Sequence, residues 1–387
     1  MGSKYNFDKI IDRRHIDSYK WNVKDNEYSF SIADMDFDVM LEIKEAIIKQ
    51  ANISTYGYTY VNDKYYEAYI KWWKSRYDTT LKKDWFMFSI SVVASIDSVI
   101  KRLTKINDGI SLFSPNYNVF YNCINNNHRN VIEIPFDYKD YKYSINWDLV
   151  EQGISKSKMF ILCNPHNPIG RQFSENEILR IVDICKKHNV YIISDEIHAD
   201  IDYNESRYVP ALKVSDYEKL IVMLSPGKIF NVAALHSSVV ITPNLEIKNI
   251  IEKGLQEDDV GEPSFFSIAP IIAAYENGEE YVIELNDYLK QNRTFLKEFF
   301  DKNGLKLRII DNNSTYLLWI DISAYSSNSE EFTNQLFTKN HILVCSGKNY
   351  HEHHSSFIRV NIATNRNNII KFCEEIKDFL LKGENKL

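Results

Sequence analysis

Between about Ser89 and Val240 the chain alternates short apolar runs with longer stretches whose apolar residues recur every three or four positions. Gly109-Ile110-Ser111-Leu112-Phe113, Met159-Phe160-Ile161-Leu162, Val190-Tyr191-Ile192-Ile193, Leu220-Ile221-Val222-Met223-Leu224 and Ser237-Ser238-Val239-Val240-Ile241 each have the length and composition of a strand covered on both faces. Between two of them, Glu175 to Cys185 carries apolar residues at helical spacing, with Ser174 placed to cap its start. This alternation predicts an α/β fold with a mostly parallel sheet, and in such sheets ligands bind beyond the carboxyl ends of the strands. Further on, Glu279 to Phe300 predicts a long helix. Ser314 to Asp321 and Phe357 to Ile362 predict strands of a second, smaller α+β unit. The first 45 residues are too few for a core of their own and are expected to wrap onto that unit. The expected division is therefore a large domain over 46–285 and a small one built from 1–45 plus 286–387.

Composition narrows the class. Of the 387 residues, 44% are hydrophobic and 26% charged, the balance of a soluble globular chain. With 46 basic against 53 acidic residues and a net charge of -7, no general nucleic-acid surface is indicated. No apolar run approaches the roughly 20 residues of a membrane span. The opening Met1 to Asn6 has neither a signal-peptide core nor a myristoylation pattern, so a cytoplasmic location is expected. Cys123, Cys163, Cys185, Cys345 and Cys373 are odd in number and scattered, which favours free thiols over disulfides or a zinc site. His351, His353 and His354 lie in a polar, loop-like stretch without matching Cys or carboxylate ligands, and no metal is expected there.

Three segments that follow predicted strands carry the candidate chemistry: Cys163 to Arg171, Ser194-Asp195-Glu196-Ile197-His198, and Ser225-Pro226-Gly227-Lys228-Ile229-Phe230-Asn231. Singly, each has an ordinary explanation: a turn, a helix cap, a solvated lysine. Together they supply an amine (Lys228), a carboxylate (Asp195) and a neutral amide (Asn167), in an order and spacing hard to reach by accident. Pyridoxal 5′-phosphate (PLP) chemistry needs such a set. The amine links to the cofactor aldehyde, the carboxylate keeps the pyridine nitrogen protonated, and the amide serves the ring hydroxyl. A lysine drawn into a partly desolvated pocket also loses basicity, which helps that link to form near neutral pH.

At these residues the sequence resembles the fold-type I PLP enzymes, specifically the cystathionine β-lyase-like C–S lyase (MalY/PatB-type) branch of the class I/II aminotransferases. The resemblance covers nearly the whole chain. It rests on Ala33-Asp34-Met35-Asp36-Phe37, Tyr56-Gly57-Tyr58-Thr59, Pro115 to Phe120, Asn164 to Arg171, Ser194 to His198, Lys228 to Asn231 and Arg359-Val360-Asn361. It implies that Tyr117 stacks on the cofactor ring and that Arg359 clamps the substrate α-carboxylate through its bidentate fork. It further implies phosphate contacts from Ser225, from backbone N–H groups around Val92 and Val93, and from Tyr58 of a neighbouring subunit, hence a homodimer with shared sites. His198 is placed beside the ring oxygen or Asp195. Several positions depart from the branch: Gly227 stands where a serine is usual, Ile229 where a threonine is usual, and Ala234 and Ser91 replace glycines. These leave the amine, carboxylate and amide intact but alter the phosphate cup.

The implied reaction is α,β-elimination from an amino acid bearing sulfur on Cβ, with Lys228 as the base and Tyr117 a candidate proton donor to the leaving sulfur. An aminotransferase would use the same residues, and nothing in the sequence separates the two outcomes. A regulatory protein of this fold, acting through protein contacts, is a third reading.

Overall fold

The computed structural model describes residues 4–203, 208–311 and 314–384. Met1 to Ser3, part of the stretch read for a leader, lie outside the described residues.

A seven-stranded sheet forms the centre. Its strands in chain order are β1 (Phe86–Ser89), β2 (Gly109–Ser114), β3 (Asn130–Pro135), β4 (Met159–Cys163), β5 (Tyr191–Asp195), β6 (Leu220–Leu224) and β7 (Ser238–Ile241). In space they run β1-β7-β6-β5-β4-β2-β3. β7 is antiparallel to both neighbours and the remaining pairs are parallel, which gives the mostly parallel sheet the sequence predicts. Every residue of β4 and β6 is buried, as their unbroken apolar runs require. Helices cover both faces. One is α1 (Val92–Leu103), which starts at Ser91, whose side chain accepts from the Ala94 N–H. Another is α2 (Glu175–His188), opened by a capping box in which Ser174 and Glu177 satisfy each other's backbone N–H groups.

Beyond α3 (Glu279–Lys302) a second sheet forms, in the order β8 (Arg308–Ile309), β9 (Leu317–Asp321), β11 (Phe357–Asn361) and β10 (Cys345–Ser346), all antiparallel. The closing helix α4 (Arg366–Glu384) contacts α3. The start of the chain joins this region: Tyr28 and Ser29 pair in parallel with Ile342 and Leu343, and the Asn361 N–H donates to the Phe30 carbonyl at 2.8 Å.

Leu220–Leu224 appears with the expected bounds, and the other expected strands have ends shifted by up to three residues. Two strands the hydrophobic pattern did not reveal, β1 and β3, are the sheet's edges. β3 carries Asn130 and Glu133 and is only half covered, so it lacks the continuous apolar run of the central strands.

Candidate active site

The site grows from the carboxyl ends of β4, β5 and β6. Register sets Cys163 beside Asp195 and Asp195 beside Met223, so the segments that follow these strands emerge side by side. The Asn164 N–H donates to the Asp195 carbonyl at 2.9 Å and ties the first two together. Asn167, Asp195 and His198 are buried.

Burial dominates the electrostatics. The Asp195 carboxyl is pushed up to about 7 by loss of water, against the Ile197 N–H (3.1 Å) and the positive charge of Lys228. Lys228 is brought down to about 8, first by burial and then by Arg359, with Asp34 and Asp195 acting the other way. His198 falls to about 3 through burial and the charges of Lys228 and Arg359, so its imidazole is neutral; its buried Nδ1 has no partner among the described residues. An amine of lowered basicity, a carboxylate and an imidazole nitrogen without a partner among the described residues thus lie within one another's field.

The remaining wall comes from the second sheet and the N-terminal strap. Arg359 lies on β11 between Trp319 and Cys345 of the flanking strands. Its guanidinium donates to Asn167 Oδ1 (3.3 Å) and to the Ser31 carbonyl (2.7 Å), while Nε has no partner among the described residues. Lys228 Nζ donates to the Ala33 carbonyl at 2.7 Å, an acceptor shared with the Tyr316 hydroxyl at 3.0 Å. Asn231 pins the same strap, accepting from the Met35 N–H and donating to the Met35 and Phe37 carbonyls. The Ala33-to-Phe37 motif therefore packs directly against the lysine loop. Its acids are held from behind: Arg13 reaches both Asp34 and Asp36, and buried Lys20 sits 2.9 Å from Asp36 Oδ2.

Tyr117 immediately precedes the helix Asn118–Asn126 and feels the charges of Arg359 and Asp195. Val92 and Val93 open α1, where the first backbone N–H groups have no helical acceptor. Ser225 Oγ donates to the Ser237 carbonyl (2.8 Å) and accepts from the Gly227 N–H (3.1 Å). A Cβ at Gly227 would stand 3.2 Å from that Oγ, so a bulkier residue there would crowd Ser225. Tyr58 is the exception. It is fully exposed.

Sequence reasoning passed over Tyr316, the Ala33 carbonyl and His166. His166 is wholly buried, with Nε2 2.6 Å from the Pro115 carbonyl and Nδ1 3.3 Å from that of Cys163. It joins the loop that carries Tyr117 to the loop that carries Asn167. Its place within Asn-Pro-His-Asn-Pro was the available signal.

The donor set fits PLP: an amine of lowered basicity for the aldehyde, a buried carboxylate for the ring nitrogen, amide and imidazole groups for the ring edge, and free helix N–H groups for the phosphate. A parallel sheet with one reversed strand, and these groups at its strand ends, define an α/β enzyme of the aminotransferase type. The chain belongs to the aminotransferase class I and II family, whose profile matches residues 22–376. It is 29% identical over 366 residues to cystathionine beta-lyase PatB of Bacillus subtilis (strain 168), covering 92% of this chain and 95% of that protein. It is 26% identical over 377 residues to protein MalY of Escherichia coli (strain K12), covering 95% and 96%. Among solved structures, cystalysin from Treponema denticola, which contains a pyridoxal 5′-phosphate cofactor, superposes with a TM-score of 0.94 at 26% identity over 98% of this chain and 99% of that one. The PLP-bound C–S lyase from Staphylococcus hominis gives 0.89 at 30% identity over 97% and 98%.

Proposed function

We propose that this chain is a PLP-dependent C–S β-lyase that splits cystathionine or a related cysteine S-conjugate into pyruvate, ammonia and a thiol. The observation that carries the reading is Lys228 beyond β6, its amine 2.7 Å from the Ala33 carbonyl and within the field of both Asp195 and Arg359. The similarity to cystathionine β-lyases and C–S lyases along nearly the full chain supports the elimination outcome.

PLP, when bound, supplies a protonated ring that withdraws electrons from the substrate Cα. Lys228 would hold its aldehyde, Asp195 the ring nitrogen and Asn167 the ring hydroxyl, with Tyr117 over the ring face and His198 at its edge. Ser225 and the N–H groups of Val92 and Val93 would hold the phosphate. Arg359 fixes the substrate α-carboxylate by its fork, which sets the Cα–H bond toward the lysine. Lys228 Nζ, freed when the substrate amine takes its place on the aldehyde, would take that proton. The sulfur then leaves Cβ as a thiolate, with the Tyr117 hydroxyl a candidate donor to it. The released aminoacrylate hydrolyses to pyruvate and ammonia.

A homodimer is part of the proposal. Tyr58 is wholly exposed between exposed Tyr56 and Tyr60, and a phosphate contact from it would come across a subunit boundary. So is the division into a domain over 46–285 and another over 1–45 plus 286–387, supported by the segregation of the two sheets along the chain. A cytoplasmic location belongs here as well; no described helix is long and apolar enough to cross a membrane. Purified holoenzyme given L-cystathionine without any keto acid tests the reading. Pyruvate should form. Transfer of the amino group to an added keto acid, with no pyruvate, would assign the chain to transamination instead.

A further inference from the structure

The Ala33 carbonyl, on the N-terminal strap, accepts two hydrogen bonds that come from two different sheets. Lys228 Nζ reaches it from the loop beyond β6 at 2.7 Å, and the Tyr316 hydroxyl reaches it from the residue before β9 at 3.0 Å. A carbonyl has two lone pairs, and here both are engaged. Tyr316 is wholly buried. Burial, with the charge of Asp34 adding to it, holds its phenol well above the ordinary value, so the hydroxyl keeps its proton and serves as a donor. The backbone ahead of it is constrained. Thr315 has a φ of 68°, a left-handed conformation that a β-branched residue rarely adopts. It is held there by its N–H, which donates to the Ile201 carbonyl (3.1 Å), and by its Oγ1, which accepts from the Leu317 N–H (3.2 Å). Backbone of this kind persists where the surroundings over-determine it, and the residue it delivers is Tyr316. The Tyr316 ring also meets His198 edge-on, with centroids 6.3 Å apart.

This shared acceptor bears on the lysine in one of its two states. Linked to the cofactor aldehyde, the nitrogen is engaged. Before the cofactor is bound, and again once substrate has displaced it, the amine is free and Ala33 is its acceptor. An ammonium gains more from that carbonyl than a neutral amine does. Tyr316 works against the gain. Its O–H occupies a lone pair of the same oxygen and brings the positive end of its dipole toward the neighbouring ammonium. The other groups facing the amine are Arg359 from β11, Asp34 from the strap and Asp195 from the end of β5, with the neutral His198 in the same field. Arg359 acts in the same sense as Tyr316, and the two carboxylates act against it.

We propose that Tyr316 is a positioning residue for the lysine: by sharing the Ala33 carbonyl it keeps the freed Lys228 amine seated loosely enough to leave for the cofactor aldehyde or the substrate Cα–H. The proposal rests on the PLP-lyase reading of the site, and the two fail separately. Cofactor-free protein is mixed with PLP from about pH 6 to about pH 11, and the midpoint of the capture rate is read. Tyr316→Phe removes the donor and keeps the ring. It should raise the midpoint by about one unit and slow capture near neutral pH by about tenfold. Difluorotyrosine at position 316, whose fluorines flank the hydroxyl and make it a stronger donor, should lower the midpoint by about half a unit. A role confined to packing would move neither midpoint, or both in one direction. Either pattern, or shifts in the reverse order, overturns the proposal. Should the phenylalanine variant fail to fold, the sign of the difluorotyrosine shift alone decides. In loaded enzyme turning over L-cystathionine, the acid limb of kcat should move with the same signs while KM stays within about twofold, since Arg359 is untouched. An acid limb unmoved by either substitution also overturns it. Wild type that captures PLP but forms no pyruvate would sink the lyase reading and leave the seat standing. Wild type that captures no PLP at any pH would overturn both.

Discussion

Arg359 Nη1 and Asn167 Oδ1 meet at 3.3 Å although 192 residues separate them. One sits on the middle of the second sheet and the other beyond the end of β4, so this contact closes the catalytic pocket from above. Both side chains are buried, and the guanidinium also donates to the Ser31 carbonyl.

Arg359→Lys should raise KM for the amino-acid substrate by about 10- to 100-fold with a smaller effect on kcat, because a point charge replaces a planar two-pronged donor. Steady-state kinetics on L-cystathionine checks this. An unchanged KM would remove Arg359 from the carboxylate site.

Lys228→Ala should abolish the visible absorption band of the cofactor-loaded protein and reduce pyruvate formation by at least about 10²-fold, the usual weight of a positioned proton-transfer group. Retention of both the band and the activity would end the proposed function.

The rate at which cofactor-free protein captures PLP should rise with pH and level off above about 8, where the Lys228 amine loses its proton, rather than near 10.5. The sign follows from the chemistry: only the neutral amine attacks an aldehyde, and burial makes that form available at lower pH. Stopped-flow absorbance across pH 6–11 reads the midpoint, using buffers at roughly one-unit steps.

Asp195→Asn should stabilise the cofactor-free protein at pH 8 while removing activity. The folded carboxyl ionises near 7 against 3.8 for the free group, so between those values the folded state holds a proton that the unfolded state has lost. Stability conferred by the neutral carboxyl is complete below about 4, falls as pH rises to about 7, and is absent above it. A neutral amide escapes that loss. Thermal melts of both proteins at pH 5 and pH 8 should therefore show a larger gain at pH 8.

Mixing Lys228→Ala with Tyr58→Ala subunits and letting them exchange should restore activity if Tyr58 serves the neighbouring site. Statistical mixing of two inactive parents gives about half mixed dimers, each with one intact site. No recovery would place Tyr58 outside the partner's pocket.

The sequence disclosed those parts of the structure whose physics is local. The central strands β4 and β6 are covered on both faces and read as unbroken apolar runs, and the capped start of α2 follows from Ser174 and Glu177 alone. The edge strand β3 escaped because partial exposure admits Asn130 and Glu133, and β1, though wholly buried, is only four residues long. Within the site, the motifs exposed the side chains. They could not expose the Ala33 carbonyl, since every residue carries one, nor Tyr316, one of 25 tyrosines. His166 sat inside a recognised motif, yet its bridging of two loops depends on Pro115, far away in the chain. His351, first weighed only as a metal ligand, has its Nε2 3.4 Å from Glu133 Oε2, a neighbour only the fold could bring to it.

The strap that offers Ala33 to the lysine is also tethered by residues far downstream of the lysine. Leu343 receives the Phe30 N–H, Ala363 the Asp36 N–H, and the Asn361 amide grips the carbonyls of Ile32 and Asp34. With Asp195, Lys228 and Asn231 folded, the strap is held at Ala33, Met35 and Phe37 but not at Ile32 and Asp34, whose carbonyls wait for Asn361. The cofactor lysine and the strap that meets it are thus set in register by a segment hundreds of residues downstream, so Asn361→Ala should loosen the lysine's surroundings without touching the lysine loop itself.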